Sequence, residues 1–320
     1  MSIEITRIAS RGSPLALAQA KLARAGLARA HGWDIAELDR ICPILTFRTT
    51  GDRVQDRPLA ELGGKGLFAK EIEDALLQDE ADIAVHSIKD LPAVQPHGLV
   101  LASVLEREDP RDVFLDQDGR NFSELENGAR LGTSSVRRAA QALRVRPDLK
   151  IVPLRGNVQT RLEKLDAGEA DGIFLARAGL ARLDLLPPNC EELSLENWLP
   201  ALCQGAIGLE VRGDDKDAHA LVANIDHPSS HLAVTCERGF LAGLDGSCRT
   251  PIAGLALIQN GSLHLRGEVL SLDGKSSWSA SRELQLHDTI DEETLHNANA
   301  LGADAAKDIR AAAGGNLPKF

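Results

Sequence analysis

Ile3-Glu4-Ile5-Thr6-Arg7-Ile8 alternates apolar and polar positions with the period of two that turns one face of a strand toward a core. Ser13-Pro14 then supplies a helix N-cap and a first-turn proline, and the Ala/Leu-rich stretch behind them predicts a helix through about Arg29. The alternation continues with a strand from Ile41 to Phe47, a helix from about Phe68 to Gln78 with apolar positions at Ile72, Ala75 and Leu76, and a buried strand Ile83-Ala84-Val85. After a strand from Leu99 to Val104, the charged run Glu106-Arg107-Glu108-Asp109-Pro110 ends in a turn-former, as a domain crossing would. The pattern then restarts: strand Val113 to Leu115, Leu131 leading into Gly132-Thr133-Ser134-Ser135 and a helix to about Leu143, strand Ile151 to Leu154, helix Val158 to Ala167, strand Gly172 to Ala176. From about Ile225 the character changes. Asn260-Gly261 and Asp273-Gly274 are hairpin turns between strands near Ile252 to Gln259, Leu263 to Leu270 and Ser277 to Leu286, and a helix from about Glu292 to Ala313 follows. The expected fold is α/β: two doubly wound lobes plus a smaller α+β C-terminal domain with a three-stranded antiparallel sheet.

Composition narrows the function classes. Net charge is −11 and aromatics are only 3% with no tyrosine, which leaves neither a basic face nor a stacking platform for nucleic acid. The five cysteines are an odd number without CxxC spacing, which argues against a disulfide framework or a zinc site and fits a reducing cytosol. Charges stand in the N-terminal stretch where a signal peptide needs an apolar region, and no run approaches membrane-spanning length, so a soluble, cytoplasmic protein is expected.

Candidate chemistry lies at strand ends, where open α/β sheets bind ligands. Arg11 and Ser13 follow the first strand; Ser87, Lys89 and Asp90 follow the third. Lys89 and Asp90 also fit a solvated loop pair, and His86 reads as structural. Between Arg137 and Arg161 stand six arginines (Arg137, Arg138, Arg144, Arg146, Arg155, Arg161) against one acid, Asp148. Gly132-Thr133-Ser134-Ser135 and Arg155-Gly156-Asn157 each precede a helix and offer N–H groups to an anion, so several arginine forks here imply a polycarboxylate ligand; Arg144 and Arg146, beside a turn, read as solvated. The polar, Gly-rich stretch Thr49 to Leu67 reads as a mobile lid, with Lys65 in no phosphate-loop context. His227 and His231 flank Pro228 and read as a helix-capping segment. Leu244-Asp245-Gly246-Ser247-Cys248-Arg249-Thr250-Pro251 sets a thiol beside a guanidinium in a turn, fit either for covalent chemistry or for filling a loop.

Together Arg11 to Ala16, Gly63 to Phe68, Val85 to Pro92, Arg107 to Asp112, Gly132 to Arg138, Leu154 to Asn157 and the Cys248 loop resemble, nearly end to end, the porphobilinogen deaminase (hydroxymethylbilane synthase) family. The resemblance implies a dipyrromethane cofactor thioether-linked to Cys248, four porphobilinogen units added to it with loss of ammonia, and release of a linear tetrapyrrole by water. It implies Asp90 as the catalytic carboxylate. Ser87, Lys89, Ser135, Arg137, Arg138, Arg155 and Gly156 are then expected at the cofactor, and Arg11, Ser13, Lys65, Arg155, Arg161 and Arg182 at the substrate, with no metal. It further implies a cytoplasmic monomer of three domains: residues 1–105 with 206–223 in a first transferrin-like lobe, 106–205 in a second, and 224–320 carrying the cysteine. Cys203 departs from the glycine common among relatives and Glu61 from a lysine, which touches hinge geometry and lid charge; Gly12 falls at a variable position. An oxyanion carrier shares the two-lobed pattern but calls for an export signal and no reactive thiol. A thiol redox protein calls for a resolving cysteine near Cys248.

Overall fold

The Ser13 hydroxyl accepts the Ala16 N–H at 3.3 Å and Pro14 opens helix α1 (Pro14–His31), which Gly32 ends at a φ of 66°. The computed structural model describes residues 5–53, 66–246, 250–287 and 289–318. Its strands are β1 (Ile8–Arg11), β2 (Ile44–Phe47), β3 (Ile83–Ser87), β4 (Leu99–Val104), β5 (Asp112–Leu115), β6 (Arg130–Gly132), β7 (Lys150–Val152), β8 (Gly172–Ala176), β9 (Glu191–Glu192), β10 (Ile207–Arg212), β11 (Ile252–Gln259), β12 (Ser262–Leu270) and β13 (Ser277–Gln285). The helices after α1 are α2 (Leu38–Ile41), α3 (Thr50–Arg53), α4 (Lys70–Leu77), α5 (Val136–Val145), α6 (Val158–Asp166), α7 (Arg177–Ala181), α8 (Lys216–Ala223), α9 (Pro228–Gly243) and α10 (Glu292–Ala313).

The chain divides into two units. The first holds the described residues of 5–53, 66–107 and 206–231, and the second those of 108–205 and 232–318. The first unit is built on a sheet of order β2-β1-β3-β10-β4, in which β2, β1 and β3 are parallel and β10 runs antiparallel to β3 and β4. Successive residues serve opposite faces: Ile8, Ile83, Val85 and Leu209 pack with Ala20, Ala23 and Leu27 of α1, while Ala9 and Ala84 pack with Ile72 and Leu76 of α4. The expected return of the chain near Gly205 to Arg212 is β10. Among the described residues the first strand starts at Ile8, since the Arg7 N–H turns to the Asp82 carboxylate at 2.7 Å; Ile3 and Glu4 of the expected strand lie outside the described residues. The second is shortened to Ile44–Phe47, because Leu38–Ile41 forms a helical turn closed by the Cys42 N–H on the Leu38 carbonyl.

The second unit holds a sheet of order β7-β6-β8-β5-β9 with the same plan: three parallel strands, then β5 antiparallel to β8, then β9 antiparallel to β5. Phe114 and Phe174 cluster with Phe122 and Trp198 on one face, while Val113, Leu115, Ile173 and Leu175 meet Leu165 and Leu180 on the other. It also holds the antiparallel sheet β11-β12-β13, whose turns fall at Asn260-Gly261 and Asp273-Gly274 as predicted, with α10 packed on β12 and β13. His227 caps α9, its Nδ1 accepting the Ser230 N–H at 3.3 Å. Cys203 lies at a φ of 60°, the left-handed region where a residue without Cβ is at ease.

Candidate active site

In the first unit, β1 delivers Arg11 and β3 runs into a single 3-10 turn, Ile88–Asp90, that presents Asp90. Arg11, Ser13, Gln19, Phe68, Ser87 and Asp90 line one concavity. The Arg11 guanidinium stacks on the Phe68 ring, 4.5 Å from its centroid, and is gripped by Asp52: Nε donates to Oδ2 at 3.2 Å and Nη2 to Oδ1 at 2.5 Å. Nη1 remains 3.8 Å from Asp90 Oδ2, close enough to attract and too far for a hydrogen bond. Among the described residues the Asp90 carboxylate, 32% exposed, meets only Arg11. Burial opposes the charge on Asp52, yet hydrogen bonds from Arg11 and Thr49 outweigh it and hold that carboxyl below its usual range. Gln19 Nε2 donates to the Ser87 hydroxyl at 2.7 Å. Buried His86 also lines the concavity, with Nε2 3.2 Å from buried Glu210; neither group completes a hydrogen bond there among the described residues, so the core hydrogen bond expected of a structural His86 is not made.

The second unit carries the arginines. Ser135 caps α5 and accepts the Arg138 N–H at 3.4 Å. Arg137 and Arg138 are buried, with Nη1 of the first at 2.8 Å and Nη2 of the second at 2.7 Å from the two oxygens of Asp112. Trp198 Nε1 at 2.9 Å and Gln204 Nε2 at 2.8 Å also donate to Asp112. Burial alone would raise the Asp112 carboxyl, but the two guanidinium charges and their hydrogen bonds outweigh it and hold it far below the carboxylate range. The sequence reading left both forks to a ligand, and the structure gives each an internal carboxylate. Arg138 Nε nevertheless stays buried without a hydrogen-bond partner among the described residues. In the loop from β7 to α6, Gly156 takes a φ of 125° and its carbonyl accepts Arg161 Nε at 2.9 Å, which ties Arg161 to the first turn of α6. Arg182 Nη2 donates to the Gly205 carbonyl at 2.6 Å; burial lowers its guanidinium, with Glu108 opposing.

Of the expected site residues, Arg11, Ser13, Ser87 and Asp90 therefore come together, Lys89 lies in the same 3-10 turn, and Ser135, Arg137, Arg138, Arg155, Gly156, Arg161 and Arg182 stand on the second unit. Lys65, most of the expected lid with Glu61, and Cys248 lie outside the described residues. Arg144 and Arg146, expected in solvent, pair with Glu268 and Asp148. Gln19, Asp52 and Asp112 went unnamed as site residues. Gln19 left a signal, a polar residue on the Ala16, Ala20, Ala23 face of α1, which the helix buries. Asp112 closed the Arg107 to Asp112 motif without being given a role, and Asp52 left no signal, since its partner Arg11 is distant in sequence.

Residues 6–220 match the profile described as "Porphobilinogen deaminase, dipyromethane cofactor binding domain", and residues 231–311 match "Porphobilinogen deaminase, C-terminal domain". The porphobilinogen deaminase of Paracoccus denitrificans (strain Pd 1222) is 52% identical over 304 residues, 95% of this chain and 93% of that one. That of Nitrobacter winogradskyi is 48% identical over 310 residues, 97% of this chain and 94% of that one. Among solved structures, the ligand-binding component of an ABC-type import system from Staphylococcus aureus covers 75% of this chain and 74% of its own at 14% identity, with a TM-score of 0.40.

Proposed function

Because this chain belongs to the porphobilinogen deaminase family, we propose that Asp90 is its catalytic carboxylate, with Arg11, Ser13 and Ser87 binding beside it. The enzyme is a transferase that condenses four porphobilinogen molecules onto a dipyrromethane primer with loss of ammonia and releases the linear tetrapyrrole by hydrolysis, hydroxymethylbilane synthase. The observation that carries the assignment of Asp90 is its half-open carboxylate, 3.8 Å from Arg11, with lone pairs left for a ligand.

Porphobilinogen presents a pyrrole N–H, two carboxylates and an aminomethyl group. Asp90 accepts the N–H and faces the cation left when ammonia departs, a charge that exists only after the ground state, so its attraction speeds the step. The end of the Arg11 guanidinium not held by Asp52 binds a side-chain carboxylate, and the hydroxyls of Ser13 and Ser87 donate to another. The dipyrromethane supplies the pyrrole carbon to which the first unit is joined. Its carboxylates fit the donors of the second unit: the orphaned Arg138 Nε, with Ser135, Arg155, Gly156 and Arg161 at two helix starts. Lys89 is a further cofactor-binding residue of this proposal, and Arg137, Arg182 and Lys65 are further ligand-binding residues. Cys248 is the attachment point. Burial pushes the Cys42 thiol up to about 12 and raises Cys190 and Cys236, which leaves these three poor nucleophiles.

We propose three domains, residues 1–105 with 206–223, 106–205, and 224–320; the three sheets support this division, the second unit holding two of them. Among the described residues no helix is long and apolar enough to cross a membrane; a cytoplasmic monomer is proposed from the family resemblance alone. Intact-mass spectrometry tests the attachment: the purified protein should exceed its sequence mass by one dipyrromethane, and Cys248→Ala should abolish the excess. An increment that survives in Cys248→Ala rules the assignment out.

A further inference from the structure

Two carboxylates, Asp52 and Asp90, and one guanidinium, Arg11, set the problem in the first unit. Arg11 offers five N–H donors, and Asp52 takes two of them, one on Nε and one on Nη2. Asp52 is itself held, since Thr49 Oγ1 donates to its Oδ2 at 2.7 Å and the Thr49 N–H at 3.3 Å. Phe68 closes the face of the guanidinium at 4.5 Å. That ring fits only because residue 51 has no side chain: a Cβ on Gly51 would stand 2.2 Å from Phe68 Cε1. The remaining edge, Nη1 with the second hydrogen of Nη2, is thereby aimed, and Nη1 stops 3.8 Å from Asp90.

We propose that Asp52 is a positioning residue of the reaction, which grips the side of Arg11 so that its end faces the concavity while Asp90 stays free of a hydrogen bond from it. The inference rests on the reading of Asp90 and Arg11 given above. A guanidinium and a carboxylate attract strongly at this separation, and closing the gap by about 1 Å would make a charge-assisted hydrogen bond. Such a bond would take the Asp90 oxygen that the pyrrole N–H and the developing cation need, and it would swing the Arg11 end away from an incoming carboxylate. Asp52 opposes that collapse by holding Arg11 through two bonds on its far side.

The test is a double-mutant cycle on the cofactor-loaded enzyme, read by single-turnover ammonia release and by kcat and KM. Asp52→Asn keeps the size and removes the charge, and it should lower kcat by about 10²-fold, the scale at which misplacing a binding group slows a reaction. In an Arg11→Ala background the same change should alter kcat less than about twofold, because the group through which it acts is gone. Thr49→Val, which leaves every charge in place, should give a smaller loss in the same direction. Equal losses from Asp52→Asn in both backgrounds, with Arg11→Ala itself impaired, would overturn the positioning role and leave the site reading intact. An Arg11→Ala enzyme with wild-type kcat and KM would overturn the site reading, and this inference with it. Should Asp52→Asn fail to fold, the Thr49→Val and Arg11→Ala pair decides by the same comparison.

Discussion

Arginine meets aspartate in both units, with opposite results. In the second unit Asp112 is fully buried, and Arg137, Arg138, Trp198 and Gln204 all spend donors on it. In the first, Arg11 spends one side on Asp52 and leaves an end facing Asp90, which is 32% exposed and hydrogen-bonded by no described residue. The same two side chains make a brace where the Asp112 oxygens are all answered inside, and a reactive site where the Asp90 carboxylate is left open. Residue type cannot separate these outcomes; whether the carboxylate keeps an open oxygen does.

The sharpest way to break the contrast is to remove the buried carboxylate. Asp112→Ala strands two guanidiniums and should cost about 3–5 kcal/mol of stability in a denaturant titration. A loss under about 1 kcal/mol would show that Asp112 is no brace. Asp90→Asn should do the reverse, lowering turnover by at least about 10²–10³-fold while leaving stability within about 0.5 kcal/mol. A near-wild-type rate of single-turnover ammonia release would remove Asp90 from the chemistry. Acid sharpens the comparison further. The folded Asp112 carboxyl lies below its unfolded value, so its stabilisation is complete above about pH 4 and drains away as the pH falls toward the folded value. Wild-type protein should therefore lose stability on acidification more steeply than Asp112→Asn, and parallel curves would contradict the burial-and-pairing account. The smallest effect belongs to Cys203, beside Gln204. Cys203→Gly relieves a φ of 60° and should gain at most about 1 kcal/mol, since glycine's greater unfolded freedom offsets part of the relief.

What was legible in the chain was local. Ser13-Pro14 started α1, Asn260-Gly261 and Asp273-Gly274 turned the hairpins, and Glu292 to Ala313 ran as one helix, because capping, turn and periodicity each act within a few residues. The strand ends pointed to Arg11, Ser13, Ser87 and Asp90 for the same reason. Illegible were the choices made across the sheet. Nothing near Arg137 announces that Asp112, twenty-five positions earlier, will occupy it, and nothing near Arg11 announces Asp52, because side chains so far apart in sequence are brought together only by strand order. The count of arginines was thus a sound guide to the ligand's charge and a poor guide to which forks are free.

Strand order also sets a schedule for the ribosome. β4 pairs with β10 and β10 with β3, yet about a hundred residues of chain separate the end of β4 from the start of β10. At about 5–20 residues per second, the N-terminal sheet waits about 5–20 s for its fourth strand. Through that interval the nascent chain holds two open strand edges, of β3 and β4, that must be kept from pairing with anything else. The sheet begun first is thus completed only after the sheet of the second unit that starts at β5.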